Sequence, residues 1–203
     1  SFAQFANAVP FYGVVLACLD SSGVQDIIPK IKRPVITYGL TSQADISAKN
    51  IQSKESKTTY SLYKQNQKCG KVTLNVPGKH NVLNSLAAAA IGFEMGLDAK
   101  TIIDGIGSYG GVRRRFEIKG IAGDVMVVDD YAHHPTEVSA TLQAARGGWD
   151  RRIIAVFQPH LFSRTKSFYK EFAAAFMDSD VLIVTDIYPA REKPIKGITG
   201  KLV

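Results

Sequence analysis

Short apolar runs that alternate with a helical pattern are the feature that most limits the fold of this chain. Ile153–Phe157 and Val181–Thr185 are continuous apolar runs of strand length, and an amphipathic pattern over Phe168–Met177 lies between them. Continuous apolar strands separated by helices are typical of a mainly parallel sheet with helices on both faces. We therefore predict an α/β fold in which both strands are buried.

Other segments predict further strands and helices of the same kind. Asp98 can cap a helix, and Pro135 suits the first turn of one. Polar residues at Gln65-Asn66-Gln67 predict the turn of a hairpin. The predicted strands are Val14–Ala17, Val35–Tyr38, Thr58–Tyr63, Lys71–Val76, Phe116–Lys119 and Val125–Asp129; the predicted helices are a short one within Val24–Ile31, then His80–Met95, Ala99–Ile106 and a segment from Pro135 to Ala145.

Glycines at positions 107, 110 and 111 interrupt this pattern, and the strand signal restarts at Phe116. Glycine clusters between periodic segments mark flexible connections, where domain boundaries fall. We predict two domains, 1–115 and 116–203, that fold as separate α/β units joined near Gly111–Glu117. Both ends of the chain read as interrupted helices, so we also expect a piece of a longer protein, with the second domain stopping short.

Composition narrows the classes of partner. The formal charge of +7 favours an anionic partner, but the basic residues are spread out and do not alternate with aromatic ones, which disfavours nucleic acid. No apolar run reaches membrane-spanning length. Cys18 and Cys69 form no paired or metal-binding pattern, as expected for reduced thiols of a cytoplasmic protein. The oligomeric state is left open.

Polar clusters follow the predicted strands at the edge where α/β sheets bind ligands, outside the carboxyl ends. All four histidines lie in such clusters or directly before a helix, where free N–H groups favour anions. His133 and His134 are adjacent, so they are not expected to face the same ligand. The clusters are Gly78–Asn81, Asp130–Pro135, Gln158–His160 with Arg164 beyond, and Asp186–Tyr188.

Two further features allow two interpretations each. Arg113-Arg114-Arg115 is either a solvated linker or a phosphate-binding group, because guanidinium pairs with phosphoryl oxygens in two hydrogen bonds. Asp130 is either a turn residue or a partner of a nucleotide ribose. The chain has no legible serine–histidine–acid triad, no HExxH zinc pattern, no glycine fingerprint after a strand and no GxxxxGK[ST] phosphate loop.

Taken in order, these segments resemble the Mur ligase family, and the similarity runs from end to end. The segments Phe157–His160 and Ser163–Thr165, together with Val9–Gly13 early in the chain, are similar to the alanine-adding member in particular. The resemblance implies a partial central ATPase-type α/β domain followed by a Rossmann-like C-terminal domain with a mainly parallel sheet. The segments that carry it are Gly78–Asn84, Gly111–Glu117, Asp129–Glu137, Phe157–His160 and Ser163–Thr165.

The resemblance also implies chemistry. ATP, with Mg²⁺, activates the carboxylate of UDP-N-acetylmuramate as an acyl phosphate, and L-alanine attacks it. Some family members carry a second arginine where this chain has Leu161. By their positions in these segments, His80 and Asn81 are expected to contact the adenine, Arg115 the ATP phosphates and Asp130 the ribose. His133 is expected near the reacting phosphate and carboxylate, and His160 and Arg164 are expected to contact the incoming amino acid. The resemblance assigns no metal ligand.

The missing phosphate loop predicts that this chain alone neither hydrolyses ATP nor ligates, because positioning of phosphates supplies most of the rate in such reactions. Three alternatives remain. The first is the sister ligase that reattaches recycled peptide, which we expect to differ over Phe157–Thr165. The second is a nonenzymatic nucleotide-binding module, for which a missing phosphate loop is natural. The third is a dehydrogenase-type protein, disfavoured by the absent glycine fingerprint.

Overall fold

The computed structural model describes all 203 residues, and its internal contacts divide it into two units, Ser1–Gly110 and Gly111–Val203. Each unit combines strands with helices, so the predicted α/β class is confirmed. The first contains α1 (Phe2–Asn7), β1 (Val15–Cys18), α2 (Ser22–Gln25), β2 (Val35–Gly39), β3 (Ile46–Lys54), β4 (Lys57–Lys64), β5 (Gln67–Leu74), α3 (Lys79–Glu94) and α4 (Ala99–Ser108). The second contains β6 (Glu117–Ala122), β7 (Val125–Asp129), α5 (Pro135–Gly148), β8 (Ile154–Phe157), α6 (Phe162–Ala175) and β9 (Val181–Val184).

One five-stranded sheet organises the first unit, in the order β1-β2-β3-β4-β5. Strands β1, β2 and β3 run parallel, whereas β3, β4 and β5 form an antiparallel meander. The predicted hairpin is therefore correct, and Gln65 and Asn66 form its turn with positive φ angles of 47° and 64°. Helices α3 and α4 pack on this sheet. Val82 and Leu86 of α3 are fully buried against it, with Leu62 and Val72 from the strands.

Strand β3 was not predicted, and its backbone explains why. The pairing of β3 with β4 shifts register between Lys49 and Gln52, and Asn50 has a positive φ of 56°. A bulge adds a residue and reverses which side chains face the core. Ile46 and Ala48 are buried before the irregularity, whereas the residues after it do not continue a simple alternation. The period-two signal of a strand is lost as a result.

The second unit contains an antiparallel hairpin, β6–β7, and a parallel pair, β8–β9. The prediction that β8 and β9 are buried is correct for one face of this strand pair and wrong for the other. Phe157 packs with Phe172 and Phe176 of the helical side. Side chains that alternate with the packed ones remain open, and Val156 is 69% exposed. A continuous apolar run cannot distinguish a strand covered on both faces from one covered on a single face.

Helix α6 begins at Phe162, six residues before the predicted start. Its first turn, Ser163–Lys166, is polar and carries no apolar periodicity, and Phe168 has non-helical angles that kink the helix. The carboxylate of Glu192 accepts hydrogen bonds from the backbone N–H of Ser163 (2.9 Å) and from its hydroxyl. A residue distant in sequence thus caps the helix, which local patterns cannot reveal.

The segment after the glycines is attached to the second unit. The backbone N–H of Tyr131 donates to the carbonyl of Arg114 (2.8 Å), and the buried Phe116 stacks on Trp149 with ring centroids 5.2 Å apart. The assignment of the two units to a central and a C-terminal ligase domain, with a boundary after Arg115, stays a prediction. No helix combines the length and apolarity needed to cross a membrane.

Raising the pH from 10 to 12 should destabilise the first unit. Tyr60 is 1% exposed, and burial raises the pKa of its hydroxyl to about 12, although the bond with Ser85 (2.7 Å) opposes this. Its stabilising contribution is complete below pH 10, where both states are protonated, and is lost as pH rises towards the folded pKa. We expect a loss of about 2–3 kcal/mol.

The measurement is the free energy of unfolding by denaturant across this pH range. Tyr60→Phe should show less of the decline, whereas Tyr12→Phe, at a site 79% exposed, should retain it. An identical decline in the wild type and Tyr60→Phe would assign the titration to other groups.

Candidate functional site

Three strand ends of the second unit carry the polar clusters predicted from the sequence. Strand β7 ends at Asp129, ahead of Asp130–His134, and β8 ends at Phe157, ahead of Gln158–His160. His160 also forms a parallel bridge with Tyr188 beyond the end of β9. The ring centroids of His133 and His160 are 6.1 Å apart. The fold thus brings together His133 and His160, with Arg164 beside the latter, from two separate loops.

The histidine at position 133 has a defined protonation pattern. Its Nδ1 lies 2.8 Å from the carbonyl oxygen of Tyr131. A carbonyl can only accept, so Nδ1 must carry the proton of this hydrogen bond. In the neutral ring, Nε2 is then left as the acceptor. This nitrogen is available to receive a proton or to accept a hydrogen bond from a ligand.

His160 and Arg164 form the second half of the cluster. The guanidinium of Arg164 donates from Nη1 to Nδ1 of His160 (3.3 Å), so this ring nitrogen is an acceptor. Desolvation lowers the pKa of His160 first, the positive charge of Arg164 lowers it further, and the carboxylate of Glu192 opposes this shift. A neutral His160 beside a cationic Arg164 suits an anionic ligand, because Arg164 has no acidic side chain as an ion-pair partner.

Leu161 separates His160 from α6 in a strained backbone conformation. Its φ of 73° lies in the region that favours glycine. The conformation is held by hydrogen bonds on both sides: its N–H donates to the carbonyl of Tyr188 (2.9 Å), and its carbonyl accepts from Thr165. Leu161 carries no charge, so Arg164 is the group here that can pair with a carboxylate.

His134 serves the helix instead of the cluster. It is the N-cap of α5, its Nδ1 accepts from the backbone N–H of Thr136 (3.4 Å), and its ring packs edge-on against Phe168. The two adjacent histidines therefore have different environments.

The arginine run, which precedes β6, contacts the end of β7 and the loop that follows it. Arg114 lies over the ring of Tyr131 at 4.8 Å, and its Nε is 3.7 Å from a carboxylate oxygen of Asp129. Asp130 accepts from the backbone N–H groups of Phe116 (2.8 Å) and Ala132 (2.7 Å). Arg114 is solvated, with 59% of its side chain exposed, although it also has these two partners. Asp130 is a turn residue in this structure, and each carboxylate oxygen retains a lone pair for a further donor.

Arg115, the last member of the run, has one acidic partner. Its side chain is 53% exposed, and its Nη1 lies 3.8 Å from Glu137 Oε1. A guanidinium held loosely by one carboxylate can still donate to phosphoryl oxygens.

His80 and Asn81 lie in the first unit, in the first turn of α3. Gly78 is the N-cap residue of this helix, with a φ of 99°, and provides no side-chain cap. The amide of Asn81 donates to the carbonyl of Pro77 (2.7 Å), and its oxygen accepts from Asn84 (3.4 Å). Both His80 and Asn81 are half-buried. The predicted site residues are therefore divided between the two units.

Glu137 and Glu192 contact this cluster but were not among the predicted site residues, whereas Tyr188 was predicted only as part of the polar cluster Asp186–Tyr188. Glu137 carried a signal, because a glutamate three residues after a helix N-cap is the spacing of a capping box. Glu192 lies in the loop after β9, where no local pattern indicated its contacts. No group of three or more histidine, cysteine, aspartate or glutamate side chains is placed to hold a metal ion, so we assign no step to magnesium.

Profiles of known families match both units. The profile described as the Mur ligase middle domain matches residues 1–92, and that described as Mur ligase, glutamate ligase domain, matches residues 114–202. The chain belongs to the Mur ligase family, which confirms the resemblance seen in the sequence. Among its relatives, the UDP-N-acetylmuramate–L-alanine ligase of Geotalea daltonii is 51% identical over 201 residues. The alignment covers 99% of this chain and 44% of that protein, so the chain spans less than half of its relative.

Solved structures agree on the fold. The UDP-N-acetylmuramate–alanine ligase of Thermotoga maritima has a TM-score of 0.69 at 25% identity, over 92% of this chain and 48% of that one. A MurF ligase of Thermotoga maritima in complex with ADP has a TM-score of 0.73 at 18% identity, over 89% of this chain and 42% of that one. The second likeness shows the fold alone.

Proposed function

We propose that this chain is part of an ATP-dependent ligase that joins L-alanine to UDP-N-acetylmuramate in peptidoglycan precursor synthesis. The observation that carries the proposal is the group of His133, His160 and Arg164 beyond the ends of β7 and β8, where a neutral histidine and a guanidinium without an acidic partner can receive an amino acid. The name of the Geotalea relative supports the choice of substrates. Localisation in the cytoplasm is part of the proposal.

The proposed reaction has two steps. The γ-phosphoryl group of ATP passes to the carboxylate of UDP-N-acetylmuramate, and an acyl phosphate and ADP form. The amine of L-alanine then attacks the acyl carbon, and the tetrahedral intermediate expels phosphate as the amide forms. Arg115 offsets charge on the phosphoryl oxygens, which is the main requirement of such transfers. Mg²⁺ would neutralise phosphate charge when bound, although this chain presents no cluster to hold it.

The remaining groups position the substrates. Arg164 pairs with the alanine carboxylate, and His160, as a neutral ring, orients the same molecule. Nε2 of His133 serves as the proton acceptor for the attacking amine. In the first unit, His80 and Asn81 contact the adenine. Asp130 accepts from the ribose hydroxyls with the lone pairs that its two backbone partners leave.

The 203-residue chain alone should show no turnover. It contains no GxxxxGK[ST] phosphate loop, and without one the triphosphate is not held for transfer. The measurement is phosphate release with ATP, UDP-N-acetylmuramate and L-alanine, with the protein as its gene encodes it as the comparison. Steady turnover by the purified 203-residue chain would contradict this expectation.

The same assay, applied to the protein as its gene encodes it, separates the alternatives. A ligase that recycles peptide should release phosphate with a peptide acceptor amine and not with L-alanine. A nonenzymatic module should bind ATP and release no phosphate with either amine. We favour the alanine-adding activity because Phe157–His160 and Ser163–Thr165 resemble that member.

A further inference from the structure

Glu137 connects two of the proposed catalytic residues through one carboxylate. Its Oε2 accepts from the backbone N–H groups of His133 (3.0 Å) and His134 (3.1 Å), and lies 3.5 Å from Nδ1 of the His133 ring. Its other oxygen, Oε1, lies 3.8 Å from Nη1 of Arg115. Glu137 therefore contacts the loop after β7 and the arginine run at the same time.

The charge of this carboxylate is maintained by its surroundings. Burial alone would raise the pKa of Glu137, but the hydrogen bonds from the backbone N–H groups of His133 and His134, together with the charge of Arg115, lower it. The side chain is 34% exposed, so it is partly shielded from water. An ionised carboxylate that accepts hydrogen bonds from two backbone N–H groups restrains that part of the backbone, because hydrogen bonds to charged acceptors are stronger than hydrogen bonds between neutral groups.

We propose that Glu137 is a positioning residue that holds the His133 loop and the Arg115 guanidinium in register for the reaction. The inference rests on the proposed function, because it concerns residues assigned to phosphoryl transfer and amine attack. Glu137 itself does not need to touch a substrate. Its two oxygens have different partners, since Oε2 fixes the backbone at His133 whereas Oε1 restrains Arg115 and leaves the remaining donors of that guanidinium free.

A capping box without any catalytic role is the alternative explanation. Glu137 occupies the third position of α5, and its carboxylate accepts from the N-cap backbone, as in other capping boxes. An ordinary capping box stabilises its helix and does not involve a guanidinium or the ring of the residue before the cap. Glutamine separates the two roles, because its carbonyl oxygen can still accept from an N–H group whereas its amide has no charge to restrain Arg115.

The first experiment measures kcat, the KM for L-alanine and thermal stability for Glu137→Gln in the protein as its gene encodes it. We expect kcat to fall between roughly tenfold and a hundredfold, the range in which misplaced catalytic groups show their effect. The KM for L-alanine and the melting temperature should change little. Glu171→Gln is the matched control, since Glu171 is exposed on α6 and has no partner in the cluster.

A wild-type kcat in Glu137→Gln would overturn the proposal. A fall in kcat together with a marked fall in melting temperature would also overturn the proposal, because loss of the helix cap would then explain the loss of activity.

A second experiment tests the geometry without turnover. In the 203-residue chain labelled with ¹⁵N-histidine, the backbone amides of His133 and His134 should shift together as Glu137 is protonated, below the ordinary pKa of a glutamate. The shift should be absent in Glu137→Gln. If the protein as its gene encodes it turns over and these amide shifts do not depend on Glu137, this inference alone is overturned. If that protein shows no turnover, the proposed function is overturned and the inference with it.

Discussion

Arg164→Ala should weaken the use of L-alanine by about 30-fold to several thousand-fold in kcat/KM, which corresponds to roughly 2–5 kcal/mol. The guanidinium is partly buried and bonds His160 at 3.3 Å, with no acidic partner to satisfy its charge. A bound carboxylate would complete its hydrogen bonds and orient the amine. A surface arginine paired with a local acid would contribute only about 0–1 kcal/mol.

The measurement is the KM for L-alanine and for ATP in the wild type and the variant, with the protein as its gene encodes it. The KM for ATP should change little, because the adenine and ribose contacts are assigned to other residues. Lys166→Ala is the matched control, since Lys166 is exposed on the same helix. Unchanged alanine kinetics, or an equal loss for ATP, would exclude Arg164 from the amino-acid site.

Phe172→Ala should remove about 3–5 kcal/mol of stability from the second unit, the usual loss for a buried phenylalanine. Phe172 is 1% exposed, and its ring lies 5.2 Å from that of Phe157. Phe172 lies in a core with the buried Val138, Leu142, Phe157 and Phe176. Its truncation would leave a cavity among these side chains.

Hydrogen exchange of the α5 and α6 amides in increasing denaturant gives the local free energy of opening. Tyr169→Ala, one turn earlier on the same helix and 38% exposed, should cost far less. Equal losses in the two variants would show that α6 contributes through helix formation and not through its buried face. The amides of the first unit should be unaffected in both.

Much of the candidate site could be predicted because it consists of polar residues directly after apolar strands. That position alone placed His133 and His160 at the ligand edge, and the structure brings their rings together from two loops. The roles of these residues could not be predicted in the same way. The proton on Nδ1 of His133 follows from the carbonyl of Tyr131, which is a matter of loop conformation.

The errors in the fold prediction have a common physical origin. A period-two pattern assumes regular pairing, and the irregularity around Asn50 removed the signal of β3. A helix start is recognised from its own cap, but α6 is capped by Glu192, which lies 29 residues after Ser163. The burial of Val156 depends on what covers the sheet, and its side chain carries no information on that point.

The stack of Phe116 on Trp149 provides an optical probe of one unit. Trp149 is the only tryptophan of the chain, and five of the eight tyrosines lie in the first unit. Light absorbed at the red edge of the indole band therefore excites the second unit alone, next to the arginine run that the ligand is proposed to contact. Emission from Trp149 can report nucleotide binding and unfolding of this unit in unlabelled protein, while tyrosine absorbance follows both units.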